Sequence, residues 1–182
     1  MVSQFVSTHD VRMLCDLDFN FPEGTHAIGR LDNHSEGLLL LTTNKKITSL
    51  LFQGVLPHKR VYLVQVKNQV TEESLQQLRK GVCIRVKGGN DYITGSCDVR
   101  ITDKPANLFS SGYELREGVA NTWLYISLTE GKFHQVRKMV AAVSHQCKRL
   151  IRVAIEDIEL GDLNPGEVME MSEADFFRKL KI

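Results

Sequence analysis

Residues 37–43 read GLLLLTT, a continuous apolar run of strand length. Four consecutive leucines leave no polar face, so the run reads as a strand covered on both sides. The stretch just before it, GRLDNHSE at 29–36, is charged and polar. An arginine and an aspartate therefore stand at the edge of a buried element, where an unpaired charge is costly. A surface loop would not need that arrangement, and a core would not tolerate it without a partner.

The remaining chain sorts into short elements. THAIG (25–29) reads as a strand. NKKITSLLFQG (44–54) reads as a helix, with Asn44 as its cap, Ile47, Leu50 and Leu51 on one face and Gly54 as its stop. KRVYLVQV (59–66) is β-branched and aromatic, a strand. TEESLQQLRKG (71–81) opens on a capping Thr, carries acids in its first turn and closes on Gly, a helix. VCIRVKGG (82–89) and YITGSCDVRIT (92–102) read as two strands joined by a Gly-Gly-Asn-Asp turn, and 103–112 as a loop. NTWLYISLTEG (121–131) alternates, with Leu124, Ile126 and Leu128 on one face and Trp123, Tyr125 and Ser127 on the other. FHQVRKMVAAVSH (133–145) places Val136, Met139, Val140 and Val143 on one helical face. KRLIRVAIEDIEL (148–160) is a strand pair or one bent strand, and SEADFFRKL (172–180) a capped helix. Strands outnumber helices and hairpin-like turns are common. The fold class is α+β: a mixed, mostly antiparallel sheet with flanking helices. No Pro- or Gly-rich linker divides the chain, so 1–182 is read as one domain, at most two subdomains sharing a sheet.

The 182 residues suffice for a buried core, and no apolar run approaches the roughly 20 residues that span a bilayer. MVSQFVSTHD at the start lacks the basic and apolar regions of a signal peptide, which points to a cytoplasmic location. Cys15, Cys83, Cys97 and Cys147 are scattered, with no CxxC pair, and read as reduced thiols; no metal site is expected. No phosphate-cradling Gly loop or dinucleotide fingerprint calls for a cofactor. The net charge of +1 hides an asymmetry: 132–152 holds six Lys or Arg and no acid, 153–175 eight acids and no Lys or Arg. Such blocks are commonly solvated faces, although a basic stretch also suits a polyanion.

Taken alone, Asp32 suits a loop or N-cap position, and Arg30 an ion pair with it. Asp32 and Glu36 together could form an acid–base pair. In EGKFHQVRKM (130–139), Lys132 follows a strand end, and a neutral residue could meet any structural duty there. His134 reads as a satisfied polar residue and the other cations as a solvated helix face.

GRLDNHSEGLLLLTTN resembles the pseudouridine synthase motif Gly-Arg-Leu-Asp-x-x-Thr/Ser-x-Gly-Leu-Leu-Leu-Leu-Thr-Asn, and EGKFHQVRKM resembles that family's later Glu-Gly-Lys/Arg-x-x-Gln-Val-Arg-Arg/Lys-Met. KRVYLVQV matches the intervening Lys-x-Tyr-x-Val strand, and DLNPGE (162–167) a segment near the family's C-terminus. The motifs stand in the family's order along nearly the whole chain. The branch that looks nearest is the RsuA group of ribosomal RNA synthases, among members without a separate S4 domain. The resemblance implies a pseudouridine synthase catalytic fold with a central cleft, and isomerisation of a uridine in RNA, most readily ribosomal RNA. No cofactor, metal, membrane or obligatory protein partner is implied. It makes Asp32 the nucleophile, since a carboxylate is ionised at neutral pH without a helper base. It makes Lys132 the cation that keeps Asp32 ionised, and gives Tyr62 base stacking and the later proton step. Arg30 would enter the RNA helix as the uridine leaves, Val136 would pack near the base, and Arg137 and Lys138 would contact RNA, with Lys148, Arg149 and Arg152 as further backbone contacts.

This chain departs from the family pattern in places. Ser35 stands where Thr is usual, Glu36 replaces a small residue, and TTNKK replaces the commoner TNDG. Relatives carry a Lys-Pro-x-Gly motif before a segment like VVSQF, whereas this sequence begins at MVSQF, so that strand is expected to be absent. Two other readings compete. One is a non-catalytic RNA-binding domain of the same fold, which would have no need to keep Asp32, Tyr62 and Lys132 together. The other is a glycoside hydrolase, which needs two acids facing a cleft.

Overall fold

A six-stranded sheet organises the computed structural model, which describes residues 1–53, 57–116 and 118–182. In chain order come β1 (His26–Ala27), β2 (Glu36–Gly37), β3 (Leu41–Thr42), α1 (Lys46–Gln53), β4 (Arg60–Lys67) and α2 (Glu72–Lys80). Then follow β5 (Cys83–Arg85), β6 (Asp91–Ile93), β7 (Asp98–Thr102), β8 (Asn121–Leu128), α3 (Gln135–Ala142), β9 (Cys147–Ile155), β10 (Ile158–Glu159) and α4 (Glu173–Leu180). The large sheet runs β10-β9-β4-β8-β7, and every pair along that path is antiparallel. β2 joins it as a parallel neighbour of β9. β1 with β3, and β5 with β6, form small antiparallel ribbons. The α+β class with a mostly antiparallel sheet is the one that the sequence indicates.

The centre of the sheet explains its stability. β4 lies between β8 and β9, so its backbone is bonded on both edges, and its alternation sends side chains to two different cores. Val64 and Val66, with Leu124, Ile126 and Leu150 from the neighbours, face Leu75 and Leu78 of α2 and Val136, Met139 and Val140 of α3. Leu63, Trp123 and Ile151 face the other way, against Leu108 and Phe109. The Trp123 face of β8 is therefore partly covered, because Leu108 and Phe109 of the 103–112 loop pack over it. Full burial of one such aliphatic side chain contributes about 1.5–3 kcal/mol. α2 is held by the cap read from sequence: Thr71 Oγ1 accepts the Ser74 N–H at 3.2 Å, and Gly81 at φ +102° ends it. α4 likewise has Ser172 Oγ accepting the Asp175 N–H at 3.2 Å.

The leucine run departs from expectation. It is two short strand ends, β2 and β3, joined by residues 38–40 outside any strand, although Leu38 and Leu40 are buried. The chain must leave β9 after two residues to reach β1, so neither pairing can lengthen. They pack with Ile28, Ile47, Leu51, Ile155 and Leu180 in a third core. The expected strand at 92–102 is split into β6 and β7, with residues 94–97 between them outside any strand. The helix expected at 133–145 occupies only 135–142, and 148–160 is the strand pair β9 and β10, with Glu156 at φ +48° in the turn. The stop expected at Gly54 lies outside the described residues.

Candidate active site

The GRLD segment is shaped by its ties to β9. After β1, Ile28 donates its N–H to Leu40 O at 2.8 Å, and Gly29 takes φ +72°. Asp32 O then accepts the Ser35 N–H at 2.9 Å, closing a turn through His34 at φ +65°. The chain next docks on β9: Glu36 and Gly37 pair with Ile151 and Arg152, and Leu38 donates to Arg152 O at 2.8 Å. Gly37 has no alternative there. Its φ is +98°, and a Cβ would stand 2.3 Å from Arg152 O.

Glu36 proves structural. Its carboxylate accepts from Arg149 Nε at 3.1 Å and Nη2 at 3.0 Å, and from Ser111 Oγ at 3.0 Å. Arg149 has no exposed side-chain surface and also donates to Glu114 Oε2 at 3.2 Å and Phe109 O at 2.7 Å. Arg149 is therefore an internal clamp on the Asp32 loop, not the RNA-backbone contact that its charge suggested. Glu36 is occupied by that clamp, which removes the acid–base pair of the hydrolase reading.

The EGK segment is fixed from the other side. The Glu130 carboxylate accepts from the Tyr92 hydroxyl, from Gly95 N–H at 3.0 Å and from Gln135 Nε2 at 2.6 Å. Burial pushes the Glu130 carboxyl up. The hydrogen bonds from Tyr92, Gly95 and Gln135, with the nearby Lys132 charge, outweigh that and hold it below its ordinary value. Gln135 Oε1 accepts the Lys132 N–H at 2.8 Å, closing a small ring at the start of α3. The same Glu130 bond raises the Tyr92 hydroxyl pKa.

These two segments and β4 meet at a cavity of about 200 Å³. Asp32, Tyr62, Lys132 and Arg30 line it together, with Arg60, His58 and Arg152. Tyr62 sits in β4 opposite Ile126 of β8 and Arg152 of β9, beside a register shift that follows Val61. Lys132 does not pair with Asp32. Its Nζ lies 4.6 Å from the Tyr92 ring centroid. The group that reaches Asp32 is the His134 ring, with Nε2 3.8 Å from Oδ1. His134 holds a left-handed φ of +55°, accepts no capping bond and stacks on exposed Phe133 at 3.9 Å. A non-glycine residue in that conformation costs about 1–3 kcal/mol and is typical of a functional loop.

Of the other expected residues, Val136, Arg137 and Lys138 sit apart from the cavity lining, whereas Arg152 is part of it. Val136 is buried in the core beneath the sheet. Arg137 Nη2 donates to His34 O at 2.6 Å, bracing the Asp32 turn. Lys138 lies 5.5 Å from the Phe133 ring centroid. Arg152 is buried, donates from Nε to Leu38 O at 2.8 Å and leaves Nη2 without a partner. Burial pulls its guanidinium below the ordinary arginine value, while the Tyr62 hydroxyl and the Asp32 carboxylate favour its charged form. Sequence reasoning placed Arg152 among surface cations and His134 among bystanders. Only the strand register at Tyr62 and the His134 backbone reveal them.

The family model described as RNA pseudouridylate synthase matches residues 7–142. The chain is 34% identical to the ribosomal large subunit pseudouridine synthase E of Vibrio parahaemolyticus, over 93% of this chain and 69% of that protein. It is 38% identical to the protein of the same name from Xanthomonas axonopodis, over 81% of this chain and 76% of the relative. A crystal structure of a pseudouridylate synthase superposes with a TM-score of 0.70 at 25% identity, covering 89% of this chain and 63% of that one. The chain thus spans less than two thirds of that solved chain. Motif order and fold agree with these matches, and this chain belongs to the RNA pseudouridylate synthase family.

Proposed function

We propose that this chain isomerises a uridine of ribosomal RNA to pseudouridine, with Asp32 as the nucleophile. The observation that carries this reading is the meeting of Asp32, Tyr62, Lys132 and Arg30 in one cavity. The substrate class comes from the names of the relatives, which are ribosomal large subunit pseudouridine synthases. The site of action is then the cytoplasm, where ribosomal RNA is assembled; no helix among the described residues is long and apolar enough to cross a membrane.

In the reaction the bond from ribose to the base nitrogen breaks, the uracil turns, and a ring carbon bonds to the same ribose carbon. The proton on that ring carbon is then lost, and the nitrogen gains one. Nothing is oxidised or reduced, and no group enters from outside. Asp32 supplies the carboxylate that bonds the ribose carbon as the base nitrogen leaves and is released when the ring carbon takes its place; its half-exposed position leaves it open to an extruded nucleotide. Tyr62 offers a ring face to the base and an oxygen to the departing proton. Lys132, Arg152 and Arg60 make the cavity cationic. Arg30 is exposed at the rim, where it can fill the gap left in the RNA stack. Arg137 contributes through the Asp32 turn, Lys138 through backbone contact, and Val136 by backing the wall.

The test is incubation with ribosomal RNA lacking modification, followed by pseudouridine mapping. A single new pseudouridine made by the wild type and not by Asp32→Asn is the expected result. Binding without any new pseudouridine would favour the non-catalytic RNA-binding reading.

A further inference from the structure

Arg152 is the most deeply buried cation of the cavity, at 6% exposure, and its hydrogen bonding is incomplete. Nε is used by Leu38 O, and Nη2 has no acceptor. A buried N–H without a partner is costly and rarely kept without a use. The guanidinium is held in place by its burial and by the bond from Nε to Leu38 O, on a strand paired on both edges. It lies against the two groups that flank the reacting base in the reading above: its neighbour across the sheet is Tyr62, and Asp32 is close enough to favour its charge. An acceptor oxygen arriving between Tyr62 and Asp32 would complete its set of bonds.

We propose that the Arg152 guanidinium donates a hydrogen bond to a carbonyl oxygen of the target uracil, holding the base in register over Tyr62 and making Arg152 a substrate-positioning group. The inference rests on the uridine-isomerising reading. A ring carbonyl is favoured over a phosphate because the donor is buried in the cavity with Tyr62, whereas Arg30, at the exposed rim, is the cation placed to meet the RNA outside it. That position is reached by a base only after extrusion, so the bond would form late and act on turnover more than on first encounter.

The experiment pairs substitutions on both partners in the full chain. Ribosomal RNA fragments carry uridine, 2-thiouridine or 4-thiouridine at the mapped position, sulfur being the poorer acceptor. Wild type should lose about tenfold in turnover on one of the two thio substrates. Arg152→Lys should lose a similar factor on uridine, bind RNA within about threefold of wild type, and be insensitive to the sulfur that impairs wild type. Arg152→Met, checked for folding by its melting transition, should keep the salt slope of RNA binding. Equal wild-type turnover on all three RNAs overturns the inference even if every Arg152 variant misfolds. So does an identical thio effect in wild type and Arg152→Lys, or a salt slope in Arg152→Met flatter by about one, which marks a phosphate contact. Absence of any pseudouridine from unsubstituted RNA would instead overturn the parent reading, and the inference with it.

Discussion

At the scale of single residues, the proposed roles separate groups that react from groups that hold them. Asp32→Asn keeps the shape of the side chain but not its charge or nucleophilicity. Turnover should fall by at least about 10⁴-fold, while RNA affinity stays within about threefold by filter binding. Tyr62→Phe keeps the ring and loses the oxygen, so RNA should bind normally and isomerisation should stall after glycosidic cleavage; normal product yield would end the proton-step role. The carboxylate and the tyrosine could be picked from the sequence because their motifs are contiguous. The partners of Asp32 could not. Whether Lys132, His134 or Arg152 faces it depends on how a loop, a helix start and a strand are stacked, and the structure puts the His134 ring at 3.8 Å while Lys132 covers Tyr92.

At the scale of elements, the loop that carries Asp32 is held by β9 through Gly37 and through the Glu36–Arg149 fork. Gly37→Ala would place a Cβ against Arg152 O and force a non-glycine residue to φ +98°. A loss of about 2–4 kcal/mol in denaturant unfolding is expected, with activity falling further because the Asp32 turn shifts. Glu36→Ala leaves Arg149 buried with one carboxylate fewer and should cost about 3 kcal/mol, whereas a surface pair would cost under 1. The Glu130 ring has a pH signature. Its carboxyl is held low in the folded chain, so the unfolded chain takes up a proton first as pH falls. The stability it contributes is present above the unfolded carboxyl value near 4.5 and is lost as pH drops through the folded one. Glu130→Gln should flatten the acid limb of the melting curve and leave the neutral limb's slope unchanged.

At the scale of the whole molecule, a net charge of +1 gives little long-range attraction to RNA, so affinity must come from local contacts. Lys138→Gln and Lys148→Gln should each weaken binding alike for all RNA sequences and flatten the salt slope by up to about one. Arg149→Gln should behave oppositely, losing stability with an unchanged slope, because its side chain has no exposed surface. Arg30→Ala should lower turnover more than affinity. Stopped-flow turnover beside binding over a salt series separates these outcomes.

The sequence by itself determined most element types, the caps at Thr71 and Ser172, the α+β class, and the motifs that single out Asp32 and Tyr62. Each of these is written in local periodicity or in a contiguous string. Tertiary structure decided what a one-dimensional pattern does not encode. It cut the leucine run into two strand ends, because parallel pairing to β9 and antiparallel pairing to β1 cannot share the same residues. It also divided the basic stretch at 132–152 into surface cations and two buried arginines, since β9 threads that stretch through the middle of the sheet. Charge composition is a property of the chain, but whether a charge meets RNA, a carboxylate or the core depends on which strand it lies on and which face that strand presents.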